Sequence, residues 1–179
     1  MSPQSSEIAS VVIDSSCLIH LWKLDLIGKL TISFNRIYIP VYVQDECGRK
    51  GKVKRQLKSL IKNLHPFVQI CTIESPYDAQ LLYDKKLNVK ATIDRGEAEV
   101  IIQAREREIS TVLIEDHKGK KMAEQHTLKV QGILDILGLL KRNKIIDEIR
   151  PLIELLSKKY KYRVKKKTLE VFLSEHNES

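Results

Sequence analysis

Short apolar runs rich in valine and isoleucine alternate along the chain with segments of helical periodicity. The predicted strands cover residues 8–13, 36–39, 67–73, 110–114 and 128–131. The predicted helices cover residues 15–24, 41–62 with a candidate break at Gly48 to Gly51, 76–86, 95–107, 117–126, 133–142, 145–158 and 166–174. Pro40 is expected at the first helical position after the second strand, where its missing N–H needs no partner. Apolar strands separated by helices predict an α/β fold whose parallel sheet is covered on both faces.

The length of the chain favours one domain, because 179 residues suffice for a core that needs no disulfide or metal. We expect a disordered N-terminus over residues 1–7 and an α/β domain over residues 8–145. A C-terminal helical extension is expected over residues 146–179, where it packs on the domain or on a partner.

Cysteine usage and hydropathy favour the cytoplasm. The three cysteines are widely separated and form no CxxC pair, so neither a disulfide framework nor a zinc site is predicted. The sequence shows no signal-peptide pattern, and its longest apolar runs are too short to span a membrane. We therefore expect a cytoplasmic protein with no membrane partner.

Positive charge is concentrated in two parts of a chain that carries 31 basic and 23 acidic residues. One cluster lies between Arg49 and Lys62, and the other lies between Lys158 and Lys167. Such clusters attract polyanions, nucleic acids first among them, but solvated helix faces have the same composition. Charge alone leaves both interpretations open.

Carboxylates recur where predicted strands end or where the following helices begin. The set is Asp14, Glu46, Glu97 and Asp116, with Glu115 beside the last of them. In an open parallel sheet, ligands bind outside the carboxyl ends of the strands. We therefore expect these acids to converge at one edge of the sheet.

Helical phase separates the two neighbouring acids of the helix that begins near residue 95. Glu97 lies on the apolar stripe that contains Val100 and Ile101, whereas Glu99 lies on a more polar stripe. The prediction is that Glu97 points inward near the sheet edge and that Glu99 faces water. The same test places Glu46 at a half-buried position.

Each of these acids also has an ordinary structural explanation. Asp14 and Asp116 suit helix N-caps, Glu97 complements a helix dipole, and Glu46 suits an exposed helix position. Together they favour another interpretation, because clustered carboxylates raise each other's pKa unless a cation offsets them. Mg²⁺ or Mn²⁺ accepts such a set of oxygen ligands and supports phosphodiester cleavage.

Polar side chains beside the acids are candidates for binding substrate phosphates. They are Ser15, Ser16, Arg95, Lys118, Lys120 and Lys121. Ordinary roles compete here too, since serine caps helices, arginine is common on surfaces, and lysines solvate a helix start.

Four segments in order carry a resemblance to a known family. They are VVIDSSCLIHLWKLDLIGKL, RIYIPVYVQDEC, DRGEAEVIIQA, and VLIEDHKGKKMAE with the LKVQGILDILGLLKRNKII that follows it. With these segments the chain resembles the PIN-domain nucleases, specifically the prokaryotic toxin-like branch with a GEAE-type helix start. The run PLIELLSKKYKYRVKKKTLEVFLSE is similar to the closing helices of that branch, so the resemblance covers nearly the whole chain.

The resemblance implies a PIN-like three-layer α/β/α fold with a five-stranded parallel sheet. It places the metal-binding acids at Asp14, Glu46, Glu97 and Asp116, with Glu115 assisting through water. It further implies a ribonuclease that depends on Mg²⁺ or Mn²⁺, an RNA substrate, a homodimer, and a toxin that pairs with an antitoxin protein.

Two other function classes stay open. A haloacid-dehalogenase-like phosphatase also uses an Asp after its first strand, but it wants a second acid where this chain has Ser16. A catalytically silent PIN-like module would bind RNA or a protein without cleaving anything. The sequence lacks the GxxxxGK[ST] and GxGxxG patterns, so P-loop and dinucleotide sites are not predicted.

Overall fold

The computed structural model describes residues 10–47 and 51–178, which contain a five-stranded, all-parallel sheet flanked by helices. The strands are β1 (Val11–Ile13), β2 (Ile37–Pro40), β3 (Val68–Cys71), β4 (Thr111–Leu113) and β5 (Lys129–Gln131). Their order across the sheet is β3-β2-β1-β4-β5. The strand order therefore reverses between β1 and β4, and ligands bind at such a switch point in open α/β sheets.

The helices follow the strands closely along the chain. They are α1 (Ser15–Lys23), α2 (Val41–Cys47), α3 (Gly51–Asn63), α4 (Pro76–Tyr83), α5 (Arg95–Glu106), α6 (His117–Gln125), α7 (Ile133–Arg142), α8 (Arg150–Tyr160) and α9 (Lys166–Glu175), with a short 3₁₀ helix at Ile27–Ile32. The predicted three-layer α/β/α fold with a five-stranded parallel sheet is confirmed. The predictions for residues 1–7 and for the helix break at residues 48–50 lie outside the described residues.

The central strands are buried because helices cover both faces of the sheet. Val11, Val12 and Ile13 of β1 are fully buried, and so are Val112 and Leu113 of β4. A continuous apolar strand is typical of a parallel sheet of this kind. The two strands pair in register, Ile13 opposite Leu113, so the residues that follow them leave the sheet side by side.

Two local predictions are wrong. Pro40 is the last residue of β2, opposite Cys71, and α2 begins only at Val41. Proline fits there because β1 pairs with β2 only as far as Tyr38. Helix α8 begins at Arg150 rather than at residue 145, with a proline in its first turn, where the fixed φ of that residue favours a helix start.

The C-terminal helices contribute to the same apolar core as the sheet. Ile153 and Leu156 of α8 and Leu173 of α9 are buried in it. Gly138 of α7 permits a close approach of α9, since a Cβ at this position would lie 2.9 Å from Cζ of Phe172. The division of the chain at residues 145 and 146 stays a prediction. Among the described residues, no helix has the length and apolar character needed to cross a membrane.

Glu178 ties the end of the chain to the helices before it. Its Oε1 accepts hydrogen bonds from the Lys141 ammonium at 2.5 Å and from the Ile149 N–H at 2.6 Å. Its Oε2 accepts the Arg150 N–H at 2.9 Å. Burial opposes the charged form, but the bonds from Lys141 and from the two amides outweigh it and lower the pKa of Glu178.

Replacing Glu178 by glutamine is therefore expected to destabilise the fold in a pH-dependent way. The folded-state pKa lies below the unfolded value of about 4.5, so the carboxylate stabilises the fold above that pH. At pH 7 the variant is expected to lose about 1.5–3 kcal/mol, the usual worth of hydrogen bonds to a charged group. Urea unfolding of the wild type and Glu178→Gln measures the difference, which shrinks as the pH falls through the folded pKa.

The exposed Glu175, one turn earlier, offers a matched control. Glu175→Gln is expected to unfold at the same urea concentration as the wild type, both at pH 7 and at pH 3. A difference between wild type and Glu178→Gln that is the same at pH 7 and at pH 3 contradicts the assignment.

Candidate functional site

Asp14 joins the ends of β1 and β4. Its Oδ1 accepts the Cys17 N–H at 2.6 Å as the N-cap of α1, and its Oδ2 accepts the Glu115 N–H at 3.1 Å. Burial raises the pKa of Asp14 to about 6, although these two backbone hydrogen bonds oppose the shift. The capping role predicted for Asp14 is confirmed. A capping role for Ser15 or Ser16 is wrong, because both are helical residues of α1.

Glu97 lies in the first turn of α5, where it forms a capping box with Asp94. The Asp94 Oδ1 accepts the Glu97 N–H at 2.8 Å, and the Glu97 Oε2 accepts the Asp94 N–H at 3.1 Å. Burial, with smaller contributions from the carboxylates of Asp94, Asp116 and Asp14, raises the pKa of Glu97 to about 7, although the hydrogen bond from the Asp94 N–H opposes the shift. Two other predicted site acids, Asp14 and Asp116, therefore lie close enough to Glu97 to affect its pKa.

The prediction that Glu99 faces water is wrong. Its side chain is 6% exposed, and its Oε1 accepts a hydrogen bond from Nε of Arg95 at 2.8 Å. Helical phase fails here because α5 is covered on several sides, by α2, α4 and α6 as well as by three strands. Glu99 is thus a buried, paired acid on the α4 side of the helix, separate from the acids around Glu97.

Glu46 reaches the same edge from α2. It is half-buried, as predicted, and its Oε2 has no hydrogen-bond partner among residues 10–47 and 55–178. A Cβ at Gly96 would lie 3.1 Å from this oxygen and 3.3 Å from Oδ1 of Asp94. Burial raises the pKa of the Cys47 thiol to about 12, with Glu46 and Asp14 adding to the shift, so both carboxylates lie near it.

Asp116 approaches Glu97 across a glycine. Its Oδ1 caps α6 by accepting the Lys118 N–H at 2.7 Å and the Gly119 N–H at 3.3 Å, so its predicted capping role is confirmed. A Cβ at Gly119 would lie 2.7 Å from Oε1 of Glu97 and 2.9 Å from Cγ2 of Ile114. The absence of a side chain there lets the first turn of α6 pack against Glu97. The structure thus brings all four predicted acids to the carboxyl edge of the sheet.

A protein-family model matches nearly the whole chain that carries these four acids. The model of the DUF3368 family, described as a PIN domain, matches residues 10–178. The chain belongs to the PIN-domain family. PIN domains are generally nucleases and typically use divalent metals. A search of curated proteins finds no significant match.

Membership of the PIN family confirms the resemblance seen in the sequence. The narrower assignment to a toxin-like branch with a GEAE-type helix start stays a prediction. The family match does not support the alternative hypothesis of a haloacid-dehalogenase-like phosphatase.

In this PIN domain, Glu115 connects the acid edge to the C-terminal helices. Its Oε2 accepts the Ile133 N–H at the start of α7 at 2.8 Å, and its Oε1 accepts the Tyr162 hydroxyl at 3.1 Å. Burial raises the pKa of Tyr162, and the Glu115 carboxylate adds to the shift. Sequence reasoning missed Tyr162, because its partner lies 47 residues away and no local pattern marks the pair. The predicted role of Glu115 through water stays a prediction.

The predicted substrate-binding residues do not all lie together. Arg95 bonds to Glu99 and lies over the Tyr42 ring, 4.4 Å from its centroid. Lys118 and Lys121 are exposed on the outer face of α6. Ser15 and Ser16 occupy the first turn of α1 beside Asp14, and Lys120 lies on the Glu115 side of α6.

The chemistry of the four acids fits a hard divalent cation, although the side chains do not close around one point. Among residues 10–47 and 51–178, no group of three or more His, Cys, Asp or Glu side chains converges tightly enough to hold an ion. Buried carboxylates with raised pKa values and an unpartnered Glu46 oxygen nevertheless form a donor set that a cation would stabilise.

Proposed function

We propose that this PIN domain is a divalent-metal-dependent endoribonuclease. The observation that carries the proposal is the electrostatic coupling of Glu97 to Asp14 and Asp116 at the switch point of the sheet. Burial disfavours the charged forms of Glu97 and Asp14, and the neighbouring carboxylates add to the effect at Glu97, so a bound cation would offset both effects. A structural cap needs one carboxylate at each helix start and does not require this convergence.

Asp14, Glu46, Glu97 and Asp116 would hold the metal. Mg²⁺ or Mn²⁺ bound there would polarise a phosphoryl oxygen of the substrate and lower the pKa of a water molecule. Two backbone N–H groups orient the Asp14 carboxylate, and the Asp94 N–H orients that of Glu97. These hydrogen bonds leave lone pairs on both carboxylates and limit their rotation.

We also propose a biological role, a location and an oligomeric state for the protein. The protein would act as the toxin of a toxin–antitoxin pair in the cytoplasm, as a homodimer, with RNA as its substrate. Residues 8–145 would form the nuclease unit, and residues 146–179 would form the extension. A neighbouring gene for a small protein would support the antitoxin partner.

Cleavage of RNA by the full chain tests the proposed function. We expect cleavage with Mg²⁺ or Mn²⁺, none with EDTA, and loss of cleavage in Asp14→Ala and Glu97→Ala. Cleavage that survives both substitutions places the chemistry elsewhere. A folded wild type that binds RNA with the metals present and cleaves none favours the silent binding module.

A further inference from the structure

A groove lies beside the acid edge, between the segment that joins α4 to α5 and the outer face of α6. Its volume is about 590 Å³. Lys90 lies on one wall, and His117, Lys118 and Lys121 lie on the other. The α6 wall begins at His117, the residue directly after Asp116, so the groove and the acids share a border.

The groove is basic, whereas the edge beside it is acidic. The three lysines are exposed, and within residues 10–47 and 51–178 no ion pair engages any of them. Among the described residues, no aspartate or glutamate lines the groove. Three unpaired ammonium groups around a concave surface attract a phosphate backbone.

Local contacts fix both walls. The Asn88 Oδ1 accepts the Lys90 N–H at 3.0 Å, and the Asn88 Nδ2 donates to the Leu81 carbonyl at 3.0 Å. On α6 the spacing of His117, Lys118 and Lys121 places all three on one helix face. The backbone of both walls is therefore fixed, by the Asn88 hydrogen bonds on one side and by the α6 helix on the other.

The apolar part of the lining favours a single strand over a duplex. Leu82 and Met122 line the groove together with the lysines. Unpaired bases can contact such side chains, whereas a duplex keeps its bases inside the stack. Pockets of about 300–1,000 Å³ hold drug-sized ligands, so the groove has room for about one or two nucleotides.

We infer that this groove binds the single-stranded RNA segment next to the scissile phosphate, with Lys90, Lys118 and Lys121 on its phosphates. The inference rests on the proposed function, since it places the substrate of the same site. It adds Lys90 to the predicted lysines Lys118 and Lys121. Lys120 is not part of this groove, because it lies on the other side of α6 near Glu115 and Gly132.

Binding measured without cleavage tests the groove. Fluorescence anisotropy of the full chain in EDTA compares a labelled 12-nucleotide single strand with a duplex of equal length. The test variant is Lys90→Gln/Lys118→Gln/Lys121→Gln. The matched control replaces three exposed lysines outside the groove, Lys29, Lys129 and Lys144, by glutamine.

We expect the wild type to prefer the single strand and the groove variant to bind it at least about 10-fold more weakly than the control variant does. Each lost phosphate contact lowers the salt slope by about 0.7, so the groove variant is expected to lose about 2 in that slope. Equal binding by the groove and control variants, or a preference for the duplex, overturns the inference.

The two proposals can fail separately. A wild type that cleaves RNA while the groove variant binds and cleaves normally overturns the groove and leaves the proposed function standing. A wild type that cleaves nothing, but whose single-strand binding depends on the three lysines, supports the groove and overturns the nuclease.

Discussion

Replacing Asp14 by asparagine is expected to lower metal-dependent RNA cleavage by more than about 100-fold, because even outer-shell changes at metal sites cost about 10- to 100-fold. Asparagine keeps one oxygen to accept the Cys17 N–H, and it is among the best N-cap residues. It also removes a buried charge, whose desolvation raises the pKa of Asp14 to about 6. The new NH2 group would face the Glu115 N–H, a second donor, so the variant is expected to lose about 1–3 kcal/mol of stability as well as a metal ligand. Initial cleavage rates and circular dichroism of the same samples measure both effects.

Asp135 provides the matched control for this substitution. It caps α7 by accepting the Gly132 N–H at 2.7 Å, and it is exposed. Asp135→Asn makes the same chemical change at a helix start outside the four acids, so cleavage is expected to remain near the wild-type rate. An Asp14→Asn variant that cleaves as fast as Asp135→Asn would remove Asp14 from the site.

Replacing Gly119 by alanine is expected to lower cleavage by about 100-fold by displacing Glu97, since misplacing a reacting group by about 1 Å can cost that much. The new Cβ would lie 2.7 Å from Oε1 and 2.8 Å from Cδ of Glu97. The Asp94 N–H holds the Glu97 carboxylate, and Cγ2 of the fully buried Ile114 would lie 2.9 Å from the new Cβ, so both side chains have to shift. Alanine also favours a helix over glycine by about 1 kcal/mol, which offsets part of the crowding.

Cleavage rates and thermal unfolding of Gly119→Ala separate the site from the fold. Gly28→Ala is the control, because its Cβ would meet only Cδ2 of Leu64, at an ordinary 3.7 Å. We expect Gly28→Ala to unfold near the wild-type temperature, Gly119→Ala to unfold about 2–4 °C lower because it crowds Ile114, and only Gly119→Ala to lose cleavage. Full activity in Gly119→Ala would mean that the position of Glu97 does not matter.

The sequence predicted those features that depend on local pattern. Runs such as Val11 to Ile13 marked buried strands, and the acids at their ends marked the carboxyl edge of the sheet. Helical phase placed Glu97 correctly but failed for Glu99, since a stripe pattern assumes one buried face and α5 is covered on several. The pattern also gave no reason for Pro40 to end a strand.

Long-range contacts were beyond the sequence. The bond between Glu115 and Tyr162 and the contacts of Glu178 with α7 and α8 join residues far apart in the chain. Gly96 and Gly119 were the available signal, because glycine is unfavourable inside a helix unless something packs against it. Both glycines lie against the predicted acids, so they marked the site without showing which acid each one faces.

Binding of Mn²⁺ to the full chain tests the central claim most directly, since it needs neither RNA nor turnover. Glu97→Gln and Glu99→Gln remove buried acids two residues apart in one helix, one inside the acid set and one paired with Arg95. A Mn²⁺ titration monitored by electron paramagnetic resonance is expected to show saturable binding by the wild type and by Glu99→Gln. Binding by Glu97→Gln is expected to be at least about 10-fold weaker. Equal affinity of the two variants, or no binding by the wild type at millimolar Mn²⁺, would contradict the metal site.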